Sequence, residues 1–241
     1  MSNTAQHKDL KTRHYEDDAV YSYEAPVRVW HWVQTFTILV SCITGYLIAS
    51  PLPSIGGEAS DHFLMGYIRW FHFVAAYLFI IGFVFRIYWA FVGNSVSRQI
   101  FLPKVWRASF WKALWHEVKW YALLVDDTEK HAGHNPLSAL SIHILFVWTT
   151  AFLIITGLAL YGEGTGMGSW QYEWFSSWVI PLFGQSQDVH TWHHMAMWVM
   201  ICFIIIHIYL AIREDIMSRQ TIIGSMISGW RYFRDPRPGD D

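Results

Sequence analysis

Histidines inside apolar stretches are the residues of this sequence best suited to chemistry. The chain contains 13 histidines, and an ionisable group within a membrane is costly enough to indicate a function. Imidazole side chains ligate metals and move protons. Four of them lie in or at the ends of long apolar stretches: His31, His72, His193 and His207.

The spacing of two of these histidines predicts that they share one helix face. His193 and His207 are 14 residues apart, which on a helix is a rise of about 21 Å and a difference in direction of about 40°. His194 is 13 residues from His207, a spacing that would turn the imidazoles of these two residues about 140° apart. We therefore expect His193, rather than its neighbour, to face the interior of a helix bundle together with His207.

Four stretches that must position these histidines are long enough to cross a hydrocarbon core of about 30 Å, which takes about 20 helical residues. The composition agrees, because 53% of the residues are hydrophobic and 15% are charged, which is unlike a soluble domain. The net charge of −2 comes with no Lys/Arg-rich run, so nothing indicates nucleic-acid binding. We predict an all-α integral membrane protein, a four-transmembrane-helix bundle forming one domain over 1–241. Its predicted parts are a polar N-terminal tail 1–25, spans near 30–49, 68–92, 139–161 and 192–212, and a cytoplasmic tail 213–241.

The positive charges predict the direction of the spans, because loops rich in Lys and Arg stay in the cytoplasm. Neither 50–67 nor 162–191 contains Lys or Arg, whereas the third connection and both tails do. Both termini should therefore be cytoplasmic. This orientation puts His72 and His193 near the outer face, as an outer pair, and His31 and His207 near the cytoplasm, as an inner pair.

Two connections have compositions of their own. Apolar residues recur at helical spacing from Trp106 to Val118, with charges between them, which predicts an amphipathic interfacial helix in the cytoplasmic loop. The 162–191 connection combines glycines with many aromatic residues. We interpret it as an outer loop that serves as a docking surface or an interfacial anchor.

Two pairs of facing imidazoles in a helix bundle are typical of bis-histidine sites for b-type haem, which moves single electrons. We therefore expect the outer pair and the inner pair to be axial ligands of two haem irons. His143, at the inner start of span three, is an alternative inner ligand, and any one membrane histidine could instead be a hydrogen-bonded packing residue. The remaining histidines should be solvated or interfacial: His7, His14, His62, His116, His131, His134 and His190.

Two arginines and three glycines accompany these histidines. Arg86 lies 14 residues after His72, hence on the same face near the inner level, and could contact haem propionates or anchor the inner end of span two by snorkelling. Arg69 could contact the outer haem in the same way. Glycines let a porphyrin or, more commonly, another helix approach closely, and spans one to three contain Gly45, Gly82 and Gly157.

The sequence resembles the b-type cytochrome subunit of membrane-bound nickel–iron hydrogenases, part of the bacterial cytochrome b561 group, over nearly the whole chain after residue 20. The motifs that carry the resemblance are RVWHW at 28–32, IRWFH at 68–72, RIYWAFVGN at 86–94, HNPLS at 134–138, HHMAMW at 193–198 and HIYLAIREDIMSR at 207–219. In that family the haem ligands come from spans one, two and four, which favours His31 over His143.

The resemblance implies an electron-transfer subunit in the bacterial inner membrane with no H2 chemistry of its own. Its partners would be the iron–sulfur small subunit and the large subunit of a periplasmic hydrogenase, and its acceptor the quinone pool. The related gamma subunit of formate dehydrogenase binds quinone beside the cytoplasmic haem. Asn135 resembles its polar contact there, and Arg28 lies near the same level, so both are candidate quinone contacts.

Three other functions fit the same residues. One is a free-standing quinone-linked cytochrome of the b561 type, which would oxidise a small reductant such as superoxide without a partner. Another is the cytochrome subunit of a complex like formate dehydrogenase. A haem-free transporter or plain membrane anchor is the third, and an absorption spectrum would distinguish it from the others.

Overall fold

The structure is a computed structural model that describes residues 12–14, 18–53, 62–125 and 130–233, with side chains from residue 19 onward. Most of the predicted polar N-terminal tail lies outside these residues. So do Glu58 and Asp61, in the connection between the first two spans, and the last eight residues, 234–241, of the C-terminal tail.

The predicted spans are confirmed, and each helix is longer than its apolar stretch. The described chain has four helices long and apolar enough to cross a membrane: Ala25–Ala49 (α1), Leu64–Val92 (α2), Pro136–Thr165 and Ser186–Met217 (α8). They extend past the predicted ends because a helix continues into residues that are too polar for hydropathy to register.

The third span is the least regular. It consists of α5 (Pro136–Ser141), a π-helical segment (Ile142–Trp148) and α6 (Thr149–Thr165). Asn135 caps α5, since its Oδ1 accepts the Ser138 backbone N–H at 2.7 Å, and proline at the first helical position suits that start. π-Helical segments often lie at functional sites, and an apolar sequence gives no signal for one.

Shorter helices fill the connections. In the connection between the second and third spans they are α3 (Ser95–Arg98) and the predicted amphipathic helix, α4 (Ala108–Tyr121). On α4, Trp111 and Trp115 are exposed whereas Glu117 and Trp120 are buried. The helix is therefore confirmed as two-sided, and its location at a lipid surface stays a prediction.

The 162–191 connection is helical rather than a loop. A π-helical segment (Tyr172–Ser176) leads into α7 (Ser177–Phe183), and its buried face is fixed by Ser176, whose Oγ donates to the Ala159 carbonyl at 2.6 Å. Four of the five glycines in this connection fall within residues 162–168, and the helical spacing begins after them. Three exposed tryptophans follow one another every four residues: Trp170, Trp174 and Trp178.

A small antiparallel sheet joins the two tails, which the sequence did not indicate. Strands β1 (Thr12–His14), β2 (Asp18–Tyr21) and β3 (Trp230–Phe233) pair in that order, with Tyr21 opposite Trp230. Before β3, α9 (Ile222–Ser228) ends at Gly229, where φ is 87°. A Cβ added there would lie 2.6 Å from the Tyr21 ring, so glycine is required for the tails to meet.

The chain divides into two compact units. Unit 1 comprises Met1–His31, Phe85–Val147 and Ile204–Asp241, and unit 2 comprises Trp32–Val84 and Trp148–Phe203. Of the 17 Lys and Arg residues of the sequence, only Arg69 falls within unit 2. The inner pair of histidines belongs to unit 1 and the outer pair to unit 2.

Candidate functional site

The predicted outer pair comes together in unit 2. His72 lies on α2 and His193 on α8, both are partly buried, and the two imidazoles interact electrostatically. The other charges that act on His193 are those of His190 and His194. The pair therefore lies among further imidazoles, as suits a site that presents neutral nitrogen ligands.

Each imidazole of the outer pair contacts a threonine hydroxyl of a neighbouring helix. The Thr44 Oγ1 on α1 lies 2.9 Å from the His72 Nδ1, and the Thr156 Oγ1 on α6 lies 2.8 Å from the His193 Nδ1. We did not single out these threonines from the sequence. The tripeptide Ile-Thr-Gly, which occurs at 43–45 and again at 155–157, was the signal that could have revealed them.

Two of the three predicted glycines make room for these imidazoles. A Cβ added at Gly45 would lie 3.3 Å from Cε1 of the first imidazole, and one added at Gly157 would lie 3.1 Å from Cε1 of the second. Gly82 has a packing role instead, because a Cβ there would lie 2.6 Å from the Gln34 Oε1. At Gly45 and Gly157 an imidazole ring thus packs against the glycine backbone, whereas at Gly82 the Gln34 side chain does so.

The predicted inner pair comes together in unit 1. His31 on α1 and His207 on α8 interact electrostatically. His134 belongs to the same neighbourhood, since the charges that act on it include those of both histidines. Its solvated or interfacial position stays a prediction; the residue is partly buried, and burial, followed by the charge of Arg231, lowers the pKa of His134 to about 3, so this imidazole stays neutral.

Arg86 is buried beside the inner pair instead of snorkelling to water. Its side chain is 2% exposed, and its Cζ lies 5.3 Å from the ring centre of Trp30 and 5.6 Å from that of Phe101. Within the described part of the chain, neither its Nε nor its Nη1 has a hydrogen-bond acceptor, nor has the Trp30 Nε1. Unsatisfied buried donors are costly, so these residues fit an anionic group such as a haem propionate.

Asn135, a candidate quinone contact, belongs to a buried polar network. Besides capping α5, its Nδ2 donates to the Tyr121 hydroxyl and to the Glu214 carboxylate, each at 3.4 Å. The tyrosine donates to the same carboxylate at 3.0 Å, and Arg231 lies 3.8 Å from it. Burial and the nearby Glu214 raise the pKa of Tyr121. The amide contacts are long, so they could be redirected.

The other two predicted arginine contacts lie in different settings. Arg28 is partly buried and its Nη1 donates to the Ile227 carbonyl, while its Nε has no acceptor among the residues described. Arg28 therefore keeps one donor for a ligand. Arg69 is exposed on the surface of α2, and the structure does not bring it together with a buried group.

His143 and His194 are alternatives to the predicted ligands. The His143 Nδ1 donates to the Ile100 carbonyl at 3.0 Å, which leaves Nε2 as a potential ligand and keeps His143 an alternative. His31 interacts electrostatically with His207 and with His134, and the inner pair stays a prediction. His194 instead accepts the Trp198 indole N–H on Nε2 at 3.1 Å.

The remaining histidines are not members of either pair. His62 and His190 are exposed, as predicted, and His116 is partly buried. His131 lies 3.2 Å from the Glu117 carboxylate. The side chains of His7 and His14 are outside the described residues.

Comparison with known proteins identifies the family. The profile of the prokaryotic cytochrome b561 family matches residues 22–229. The chain belongs to this family. The cytochrome is 56% identical over 220 residues to a probable Ni/Fe-hydrogenase B-type cytochrome subunit of Azotobacter chroococcum mcd 1, with 91% of each chain covered.

Two further relatives bear similar names. The cytochrome is 52% identical to the probable Ni/Fe-hydrogenase B-type cytochrome subunit of Cupriavidus necator, covering 90% of this chain and 88% of the relative. It is 44% identical to the probable Ni/Fe-hydrogenase 1 B-type cytochrome subunit of Escherichia coli K12, covering 89% and 91%. A b-type cytochrome implies haem b, and with four apolar helices the cytochrome is a multi-pass bacterial membrane protein.

Substituting His193 and His194 one at a time shows which of these adjacent histidines is the haem ligand. We expect His193→Ala to remove one haem and His194→Ala to leave the haem content unchanged, because the latter imidazole is engaged by Trp198. The measurement is the haem-to-protein ratio of each purified variant, with reduced-minus-oxidised spectra. The opposite pattern, with haem lost only from His194→Ala, would show that the outer ligand is the second histidine.

Proposed function

We propose that the cytochrome is the di-haem electron-transfer subunit of a nickel–iron hydrogenase. It would anchor the small and large hydrogenase subunits at the periplasmic face of the bacterial inner membrane and pass electrons from H2 oxidation to the quinone pool. The observation that carries this proposal is the presence of one interacting histidine pair in each unit. The names of the relatives support the hydrogenase partner.

The residues of each pair would hold one haem b, which supplies reversible one-electron transfer when bound. His72 and His193 provide two nitrogen ligands in unit 2, and His31 and His207 provide two in unit 1. Arg86 would neutralise a propionate, because its buried guanidinium retains free donors. The apolar helices keep water away from both positions, which limits the reorganisation that accompanies a change of charge.

The charge distribution supports the orientation. Unit 1 carries nearly all Lys and Arg residues, and positive loops stay in the cytoplasm. The outer pair would then face the periplasmic hydrogenase. The exposed Trp170, Trp174 and Trp178 of unit 2 suit either the aromatic belt of a membrane interface or a docking surface.

Quinone would be reduced on the unit 1 side, near the inner pair. Arg28 keeps an unsatisfied Nε there, and the Asn135 amide makes only long hydrogen bonds. Both groups could donate to a quinone oxygen. The buried Glu214 and the partly buried Tyr121, which border the amide, are proton-bearing groups of the kind that quinone reduction requires.

Haem content and partner dependence test the proposal together. We expect the purified cytochrome to contain two haem b groups per chain, and H2 to reduce them only when the hydrogenase subunits are present. The measurement is a pyridine haemochrome assay followed by spectra under H2 with and without those subunits. Absence of haem would favour a membrane anchor, and reduction by a small reductant but never by the H2-supplied complex would favour a free-standing cytochrome.

A further inference from the structure

The hydrogen bonds of Thr44 determine which nitrogen of His72 carries the proton. A hydroxyl has a single proton to donate. The Thr44 Oγ1 lies 2.7 Å from the Val40 carbonyl, a normal length for an O–H···O bond. Were that proton given to the imidazole instead, two oxygen lone pairs would face each other at this distance. The hydroxyl therefore donates to its own helix and accepts from the His72 Nδ1–H, and the Ser41 backbone carbonyl is a second hydrogen-bond partner of this imidazole.

The same arrangement recurs at the partner histidine. The Thr156 hydroxyl donates to the Phe152 carbonyl at 2.7 Å and lies 2.8 Å from the His193 Nδ1. In both cases the acceptor carbonyl is four residues earlier on the same helix, and Thr156 is 1% exposed. Water therefore does not compete for this hydroxyl.

A glycine follows each threonine and sets the distance. Because Gly45 and Gly157 have no side chain, the two imidazoles can pack against them. The nearest atom of His72 lies 3.3 Å from where a Cβ of Gly45 would be, and that of His193 lies 3.1 Å from where a Cβ of Gly157 would be. A larger residue would push the ring away from the hydroxyl beside it. The repeated Thr-Gly dipeptide is thus a cradle that fixes both the orientation and the protonation of an imidazole.

We propose that Thr44 and Thr156 are positioning residues that hold His72 and His193 as Nδ1–H tautomers, with both Nε2 lone pairs available to a single iron. This inference rests on the proposed function, in that it takes the outer pair to be haem ligands. Metal-bound histidines usually donate their other N–H to an acceptor, which raises their basicity and fixes the ring. Here neutral hydroxyls, already committed as donors, serve as the acceptors.

Removing a hydroxyl should weaken the outer site and leave the inner one intact. Loss of such an acceptor typically costs 10- to 100-fold in metal affinity. A less basic Nε2 also stabilises ferric iron less, so the midpoint potential of the outer haem should rise. A tenfold change in the ferric-to-ferrous preference corresponds to about 59 mV for one electron.

The experiment compares Thr44→Val, Thr156→Val and the double variant with the unaltered cytochrome. We measure the midpoint potential of each haem by redox titration, the EPR g values, and the rate at which haem is lost to excess apomyoglobin. We expect the outer haem to be lost at least tenfold faster, at a raised potential, with the inner haem as an internal standard for folding. Thr156→Ser keeps the hydroxyl and should restore unaltered values.

Thr150→Val is the matched control. Thr150 lies on the same helix, is 0% exposed, and its hydroxyl has no hydrogen-bond partner among the described residues. If Thr156→Val and Thr44→Val change the outer haem no more than Thr150→Val does, or lower its potential, the inference is wrong. The histidine variants separate this failure from that of the proposed function: if His193→Ala and His72→Ala also retain both haems, it is the ligand assignment that fails.

Discussion

Replacing His72 with alanine is expected to remove the outer haem completely and to leave the inner haem in place. The variant deletes one of two nitrogen ligands from the interacting pair in unit 2, and the remaining His193 cannot supply a second. The inner pair lies in unit 1 and keeps both of its imidazoles. The measurement is the haem-to-protein ratio, which should fall to half, together with the loss of one component from the redox titration.

His31→Ala is the reciprocal variant and should lose the inner haem alone. His190→Ala is the matched control, because His190 is exposed on the same helix as His193 and should retain both haems. His143→Ala tests the alternative inner ligand. Retention of both haem spectra in His72→Ala would refute the outer assignment, and loss of the inner haem from His143→Ala but not from His31→Ala would replace the inner one.

Proteoliposomes that contain the whole complex should develop a membrane potential when H2 reduces an added quinone. Electrons that enter at the periplasmic side and leave near the inner pair cross most of the membrane, and the quinone would take its protons from the cytoplasmic side. A voltage-sensitive dye reports the potential while absorbance reports quinone reduction. A protonophore should abolish the dye signal and leave quinone reduction intact.

The His31→Ala variant tests whether quinone reduction depends on the inner haem. In that variant H2 should still reduce the outer haem, whereas quinone reduction and the potential should both fall by at least tenfold. If instead the unaltered complex reduces quinone without any potential, reduction occurs on the periplasmic side and the proposed quinone location is wrong. Continued quinone reduction in the variant would likewise place the site outside the reach of the inner pair.

Several features of the fold followed from local properties of the sequence. The four spans were predictable because an apolar run of about 20 residues has few alternatives to a membrane helix. The choice of His193 over His194 followed from helix periodicity alone, and the observed bond of His194 to Trp198 agrees with it. The positions of the longer helix ends did not follow, because polar residues at the ends carry no hydropathy signal.

Burial and helix formation in the connections did not follow from local sequence. His134 lies in a polar connection, where a solvated or interfacial position is expected, and it is partly buried near the charges of the inner pair. The 162–191 segment was expected to be a loop because of its glycines, yet it forms a helix after them. Burial depends on which distant elements pack together, and a residue's own neighbours in sequence do not specify it.

By itself, the sequence determined the membrane class and the number of spans, since both depend on composition, and it predicted two levels of histidines from periodicity within one helix. Only the tertiary structure decided which hydroxyl faces which imidazole, that Arg86 is buried with free donors, and that strands from the two tails pair across more than 200 residues. These depend on contacts between elements far apart in the chain. The Thr-Gly dipeptides were visible in the sequence, but their meaning came only from the helices that bring His72 and His193 against them.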